Sequence, residues 1–215
     1  MPKLIEDAYT DGQKSIIRSS ASGTEELRKA VSRIGVEIGK TLVKEYFLEA
    51  MEIRTPMDAT LSKLLPRIPL CAIITTKDDF YFLGQGISSI LDNSISGYMD
   101  FEGQRGLQAL NADITHMEMP DAKGQHVDTL VIAKAVLATG CTAIHLTKTA
   151  FGRYLPRKLI IASVFYSRQG VADLSHELPN ADLILVGDED QVNDNGMLVP
   201  GVGNLDLRLS GEAHA

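Results

Sequence analysis

From Thr24 onward, apolar residues recur every three or four positions: Leu27, Val31, Ile34, Ile38, Leu42 and Tyr46. That spacing puts them on one stripe of a helix. Thr24 is placed to cap the helix, and Glu25 and Glu26 fall in its first turn, where carboxylates complement the helix dipole. The pattern predicts a long amphipathic helix over about residues 24–52, with its stripe facing a core or a partner subunit. Pro56, Pro66 and Pro69 interrupt the chain next. Leu70–Thr75 is a short run rich in β-branched residues and reads as a buried strand, with a helix over Phe80–Leu91 after it. Tyr98–Phe101 reads as a strand and Ile114–Met119 as part of a hairpin, with a turn at Asp121–Gly124.

The second half alternates more regularly. Strands are expected at Thr129–Ala133, Lys158–Tyr166 and Asp182–Val186, and helices at Ala143–Phe151 and Gly170–Glu177. Alternation of this kind implies a parallel sheet with helical crossovers, an α/β fold. Gly196–Gly211 is rich in glycine and shows no clear periodicity.

The chain has 215 residues, a length that suits one domain with a real core. A net charge of −7 argues against a broad nucleic-acid footprint, which needs Lys and Arg surfaces. No apolar run approaches the ~20 residues that span a bilayer, and Met1–Thr10 has no apolar signal core. The expectation is a cytoplasmic protein without membrane or nucleic-acid partners. Cys71 and Cys141 sit in or beside apolar runs and lack zinc-site spacing, so both read as reduced thiols. His116, His126 and His145, with Asp113, Glu118 and Asp128, lack tight ligand spacing as well, and no metal site is expected.

One segment carries candidate chemistry. A strand that ends near Lys134 leads through Ala138-Thr139-Gly140-Cys141-Thr142 into a helix. In a parallel sheet this turn lies at the carboxyl edge, where ligands bind. Gly140 allows close backbone approach. The amides of Thr139–Thr142 would then meet an anion at the helix start, with two threonine hydroxyls to help. On spacing alone, an ordinary βα turn capped by threonine fits equally well.

Leu137-Ala138-Thr139-Gly140-Cys141-Thr142 resembles the 5′-phosphate loop of uracil phosphoribosyltransferases, Asp-Pro-Met-Leu-Ala-Thr-Gly-Gly-Ser/Thr. The stretch from Asn193 to Asn204, which contains Met197-Leu198-Val199-Pro200-Gly201-Val202-Gly203, is similar to that family's Asn-Glu-His-Gly-Tyr-Ile-Val-Pro-Gly-Leu-Gly-Asp. The separation of the two motifs also fits the family. The resemblance is strong over about residues 127–211 and weaker before. It implies a type I phosphoribosyltransferase fold: a central parallel sheet flanked by helices, a small hood and a hairpin arm, the arm at about residues 97–126. It further implies phosphate binding by Ala138, Thr139, Gly140, Cys141 and Thr142, and Lys134, at the strand end beside them, is placed to join them. Ring binding falls to main-chain groups around Met197, Leu198, Gly203, Asn204 and Leu205. Arg105 and Arg168 are possible anion contacts. A homodimer is implied, and magnesium only if phosphoribosyl pyrophosphate is used.

The pattern breaks on the ribose and pyrophosphate side. Lys134 stands where the family has an aspartate that faces the ribose, and Ala135 replaces the proline after it. In place of an Arg-Ala-Gly loop after the strand at Leu70–Thr75, the chain reads Thr76-Lys77-Asp78-Asp79. A lysine cannot accept hydrogen bonds from ribose, and it repels an oxocarbenium-like centre. Lys134 could instead pair with a phosphate, stay inert, or serve as a base or Schiff-base amine. Three functions remain open: a phosphoribosyl transferase acting on uracil or a related ring, a repurposed enzyme acting on a phosphorylated ring or nucleotide, and a non-catalytic nucleotide-binding regulator.

Overall fold

The structure is a computed structural model that describes residues 2–101 and 112–211. Its centre is a seven-stranded sheet. In chain order the strands are β1 (Lys3–Ile5), β4 (Cys71–Thr76), β5 (Ser94–Asp100), β6 (His116–Glu118), β7 (Thr129–Leu137), β8 (Lys158–Tyr166) and β9 (Asp182–Val186). Their spatial order is β1-β9-β8-β7-β4-β5-β6, parallel throughout except for the last pairing. β4 is buried along its whole length and β7 and β8 nearly so. That burial accounts for their continuous apolar runs, since helices cover both faces of a parallel sheet.

Helices α1 (Ala8–Arg18) and α2 (Thr24–Tyr46) lie on one face, over Ile73, Val131, Ile160 and Ile184. Helices α5 (Cys141–Tyr154) and α6 (Arg168–Glu177) cover the other, over Ile74, Ile132, Ile161 and Leu185. The α2 stripe residues Leu27, Val31, Ile34, Ile38 and Leu42 are buried within this chain's own core.

The long helix is shorter than the predicted 24–52. It ends at Tyr46, and the chain continues as a hairpin of β2 (Leu48–Arg54) and β3 (Thr60–Pro66). The Phe47 carbonyl accepts from the Arg67 amide at 2.7 Å, which closes the base of the hairpin. Cross-strand pairing here outweighs the helix-forming tendency of Leu48–Met51. A hairpin that the sequence did not suggest therefore lies at Leu48–Pro66, while part of the expected arm, residues 102–111, lies outside the described residues. At 97–126 the described residues hold one short antiparallel pairing, β5 with β6. The helix expected at Phe80–Leu91 begins earlier, as α3 (Lys77–Asp79), a π-helical turn at Phe80–Gly84 and α4 (Gln85–Ser88). α2 and this segment touch through glycines. A Cβ on Gly35 would lie 2.5 Å from the Leu83 carbonyl oxygen, and one on Gly86 would lie 2.4 Å from that of Ser32. The aperiodic tail folds into a two-stranded sheet, β10 (Gln191–Val192) with β11 (Leu198–Val199), and a short helix α7 (Leu205–Ser210).

Candidate functional site

The strand before the turn is longer than its apolar run suggested. β7 continues past Lys134, pairing Lys134 with Ser163, Val136 with Phe165 and Leu137 with Tyr166. The turn is thus compressed into Ala138–Gly140, and α5 opens at Cys141. Gly140 has φ +72 as the cap residue, in the left-handed region that favours glycine. Its cap residue is a glycine and so brings no side chain to the helix's first amides.

Opposite this turn stand β11 and the loop that follows it. Gly201 has φ +64, and a Cβ there would lie 2.1 Å from the Leu198 carbonyl oxygen, so only glycine fits the bend. One cleft of about 500 Å³ unites the two loops. On the phosphate side its walls include Lys134, Ala138, Thr139, Gly140, Cys141 and Thr142. On the ring side they include Met197, Leu198, Gly203 and Leu205. Asn204 is not in the wall. Its side chain caps α7, accepting from the Leu207 amide at 3.4 Å. Arg168 also lies outside the cleft, with its guanidinium exposed and bound to Glu189 at 2.7 Å. Arg105 lies outside the described residues.

The floor of the cleft carries charges that sequence reasoning had read separately. The Lys134 ammonium donates to Asp79 Oδ2 at 2.6 Å, and this ion pair is almost wholly buried. The same oxygen accepts from Thr76 Oγ1 at 2.9 Å and from the Ala135 amide at 3.3 Å. Burial works against the lysine's charge, but the carboxylates of Asp79, Asp206 and Asp78 outweigh it and hold its pKa above the usual value. The two departures from the family pattern are therefore one exchange. A cation stands where the family has an acid, and an acid stands in the loop that replaces Arg-Ala-Gly.

Asp78, already noted in the loop that replaces Arg-Ala-Gly, lines the cleft together with Asp100 and Asp206, which the sequence did not single out. Asp100 pairs with Lys77 at 3.1 Å. Burial, then the nearby Asp206, push the Asp78 carboxyl up from its ordinary value. Their clustering had no sequence signal, because they come from β5, α3 and α7, far apart along the chain. Among the described residues, no group of three or more His, Cys, Asp and Glu side chains is arranged to hold a metal. With Asp79 committed to Lys134, and Lys134 in place of the ribose-facing acid, these residues do not fit a protein-held magnesium ion.

The chain matches the family model described as uracil phosphoribosyltransferase over residues 4–209. A uracil phosphoribosyltransferase of Methanococcus maripaludis is 26% identical over 193 residues, covering 88% of this chain and 81% of the relative. One from Thermococcus gammatolerans is 26% identical over 187 residues, covering 86% and 81%. One from Pyrobaculum arsenaticum is 22% identical over 202 residues, covering 94% and 95%. Among solved structures, the AQ2163 protein from Aquifex aeolicus superposes with a TM-score of 0.77 at 22% identity, covering both chains in full, a likeness of fold. With its type I phosphoribosyltransferase fold, the chain belongs to the uracil phosphoribosyltransferase family, as a divergent member.

Proposed function

We propose that the cleft holds a flat heterocycle joined through ribose to a single phosphate, the nucleotide end of a phosphoribosyl transfer to uracil or a related ring. The observation that carries this reading is the shared cleft: the start of α5, capped by a glycine, and the loop around Leu198 and Gly203 line one space. Its volume suits a ligand of nucleotide size. In the nominal reaction a ring nitrogen attacks the anomeric carbon of phosphoribosyl pyrophosphate, the bond to pyrophosphate breaks, and the nitrogen's proton passes to water or to the departing pyrophosphate. The amides would hold the 5′-phosphate fixed, and the main chain would orient the ring edge. A homodimer is part of this reading, in line with the family.

One observation favours a second reading, a repurposed enzyme or a nucleotide-binding regulator. The Lys134–Asp79 exchange leaves a buried ion pair, neutral as a unit, where the family has a ribose-facing carboxylate and a pyrophosphate loop. Such a pair supplies neither of the two things that transfer from phosphoribosyl pyrophosphate requires: an anion seat and stabilisation of positive charge at the anomeric carbon.

Thermal unfolding with uridine 5′-monophosphate, set against phosphoribosyl pyrophosphate plus magnesium, separates these readings. A nucleotide at a hundred times its Kd stabilises the fold by about 2.7 kcal/mol. Stabilisation by the monophosphate alone supports the second reading. Pyrophosphate release in the presence of uracil establishes the first. If neither ligand raises the melting temperature, the phosphate-and-ring seat is overturned.

A further inference from the structure

The two loops of the cleft present amides because side chains behind them hold their carbonyls away. At the phosphate loop, Ser167 sits behind the turn, buried and outside the cleft wall. Its amide donates to the Leu137 carbonyl at 3.1 Å, and its hydroxyl donates to the Ala138 carbonyl at 2.5 Å. In a trans peptide the carbonyl and the next residue's N–H point in opposite directions. Fixing those two carbonyls toward Ser167 turns the amides of Ala138 and Thr139 the other way, to the side where Thr139 lines the cleft. Successive amides arranged like this make a concave anion seat. Gly170 completes the backing. A Cβ there would lie 2.8 Å from the Leu137 carbonyl oxygen and 2.9 Å from that of Ala138, so a side chain would push the turn forward.

The ring loop is built on the same plan. Arg208, from α7, donates to the Val202 carbonyl at 2.8 Å, and it is anchored on the carbonyls of Ile17 and Ser19 at 2.6 Å each. Arg18, from α1, donates to the Gly201 carbonyl at 2.9 Å and grips Asp190 through both oxygens, at 2.6 and 3.0 Å. Neither guanidinium lines the cleft. Holding the carbonyls of Gly201 and Val202 back turns the amides of Val202 and Gly203, both lining residues, in the opposite sense.

We infer that Ser167 and Arg208 are positioning residues, the first aiming the amides that take the phosphate and the second aiming the Gly203 amide that meets the ring edge. This inference rests on the proposed phosphate-and-ring reading. It adds that the two subsites are set by separate devices, each behind its own loop. Loss of one device should therefore disable one subsite and leave the other.

Calorimetric titration of the full chain with inorganic phosphate and with uridine 5′-monophosphate tests this directly. Ser167→Ala is expected to weaken both ligands by about tenfold, the worth of one hydrogen bond to a charged group. Arg208→Lys keeps the charge but not the fork that reaches three carbonyls. It is expected to weaken the monophosphate by about tenfold while inorganic phosphate changes by less than about twofold. Unchanged phosphate affinity in Ser167→Ala, unchanged monophosphate affinity in Arg208→Lys, or equal loss of both ligands in Arg208→Lys overturns the inference. Should Arg208→Lys fail to fold, amide resonances of the wild-type protein decide. Inorganic phosphate should shift Thr139 and not Gly203, and the monophosphate should shift both. Any other pattern overturns the inference. A wild-type protein that binds neither ligand removes the underlying reading first, before any variant is made.

Discussion

At the scale of single residues, the exchange of Lys134 and Asp79 decides most about this site. Asp79 is 1% exposed and Lys134 13% exposed, so neither charge has water to fall back on. Removing one partner of a buried pair leaves the other uncompensated and typically costs about 3–5 kcal/mol, whereas replacing both is far milder. Lys134→Ala should therefore lower the unfolding free energy by about that amount, and the double variant Lys134→Met with Asp79→Asn should recover most of it. Denaturant titration of the two singles and the double checks this, and additive losses would mean the pair is not coupled. Phosphate affinity in the double variant should stay near that of wild type, because the pair is neutral as a unit and the amides of α5 do the holding. The pair also has a pH signature. Its lysine pKa lies above 10.5, so its contribution is complete below pH 10.5 and fades only as pH climbs through the raised folded value. Stability profiles of wild type and double variant should run parallel from about pH 6 to 9 and converge only in alkali. From sequence, each of these residues was legible as a departure from the family pattern. That they answer each other was not, because 55 positions separate them and only the β4–β7 register brings them together.

At the scale of elements, the parts readable in advance are those whose pattern is set by burial on one stripe or on two faces. The stripe of α2 and the apolar runs of β8 and β9 belong to this class. The parts missed are those decided by partners distant in sequence. β2 looked like a continuation of α2 because its edge partner, β3, lies beyond a turn at residues 55–59. α7 was hidden because six residues do not establish a period. The crossing of α2 with α4 shows the cost of such non-local contacts. Gly35 and Gly86 face backbone atoms that cannot swing aside as a side chain would. Gly35→Ala should destabilise the fold by about 1–3 kcal/mol through overpacking, even though alanine is the better helix former. Gly12→Ala, inside α1, where a Cβ meets nothing within 4 Å, serves as the control. Equal stability of the two variants in thermal unfolding would show that the crossing yields more readily than its distances imply.

At the scale of the whole molecule, the phosphate side of the cleft was legible because its motif sits at the carboxyl end of a parallel strand, whereas the ring side, on the antiparallel β10–β11 pair, was legible only from its motif. A seat for the proposed homodimer was not legible. The long apolar helix was an obvious candidate for a dimer face, yet its stripe is spent inside the chain, with Ile34, Ile38 and Leu42 fully buried. Among the described residues, the β2–β3 hairpin is one element left largely uncovered. It displays Met57 at 87% exposure, Leu64 at 62% and Leu61 at 41%. A lone two-stranded hairpin is marginal in water, and one that carries large apolar side chains gains most when another surface covers it. The homodimer proposed above therefore has its most economical seat on this arm. Sedimentation equilibrium of the full chain should give twice the 23.4 kDa chain mass, and Leu61→Lys with Leu64→Lys should shift the protein toward the monomer by burying charge in the contact. Because the arm stands outside the cleft wall, nucleotide affinity of the monomeric variant should stay near that of wild type. A wild-type mass of one chain would remove the dimer, whereas a dimer indifferent to both lysines would move its seat away from the arm.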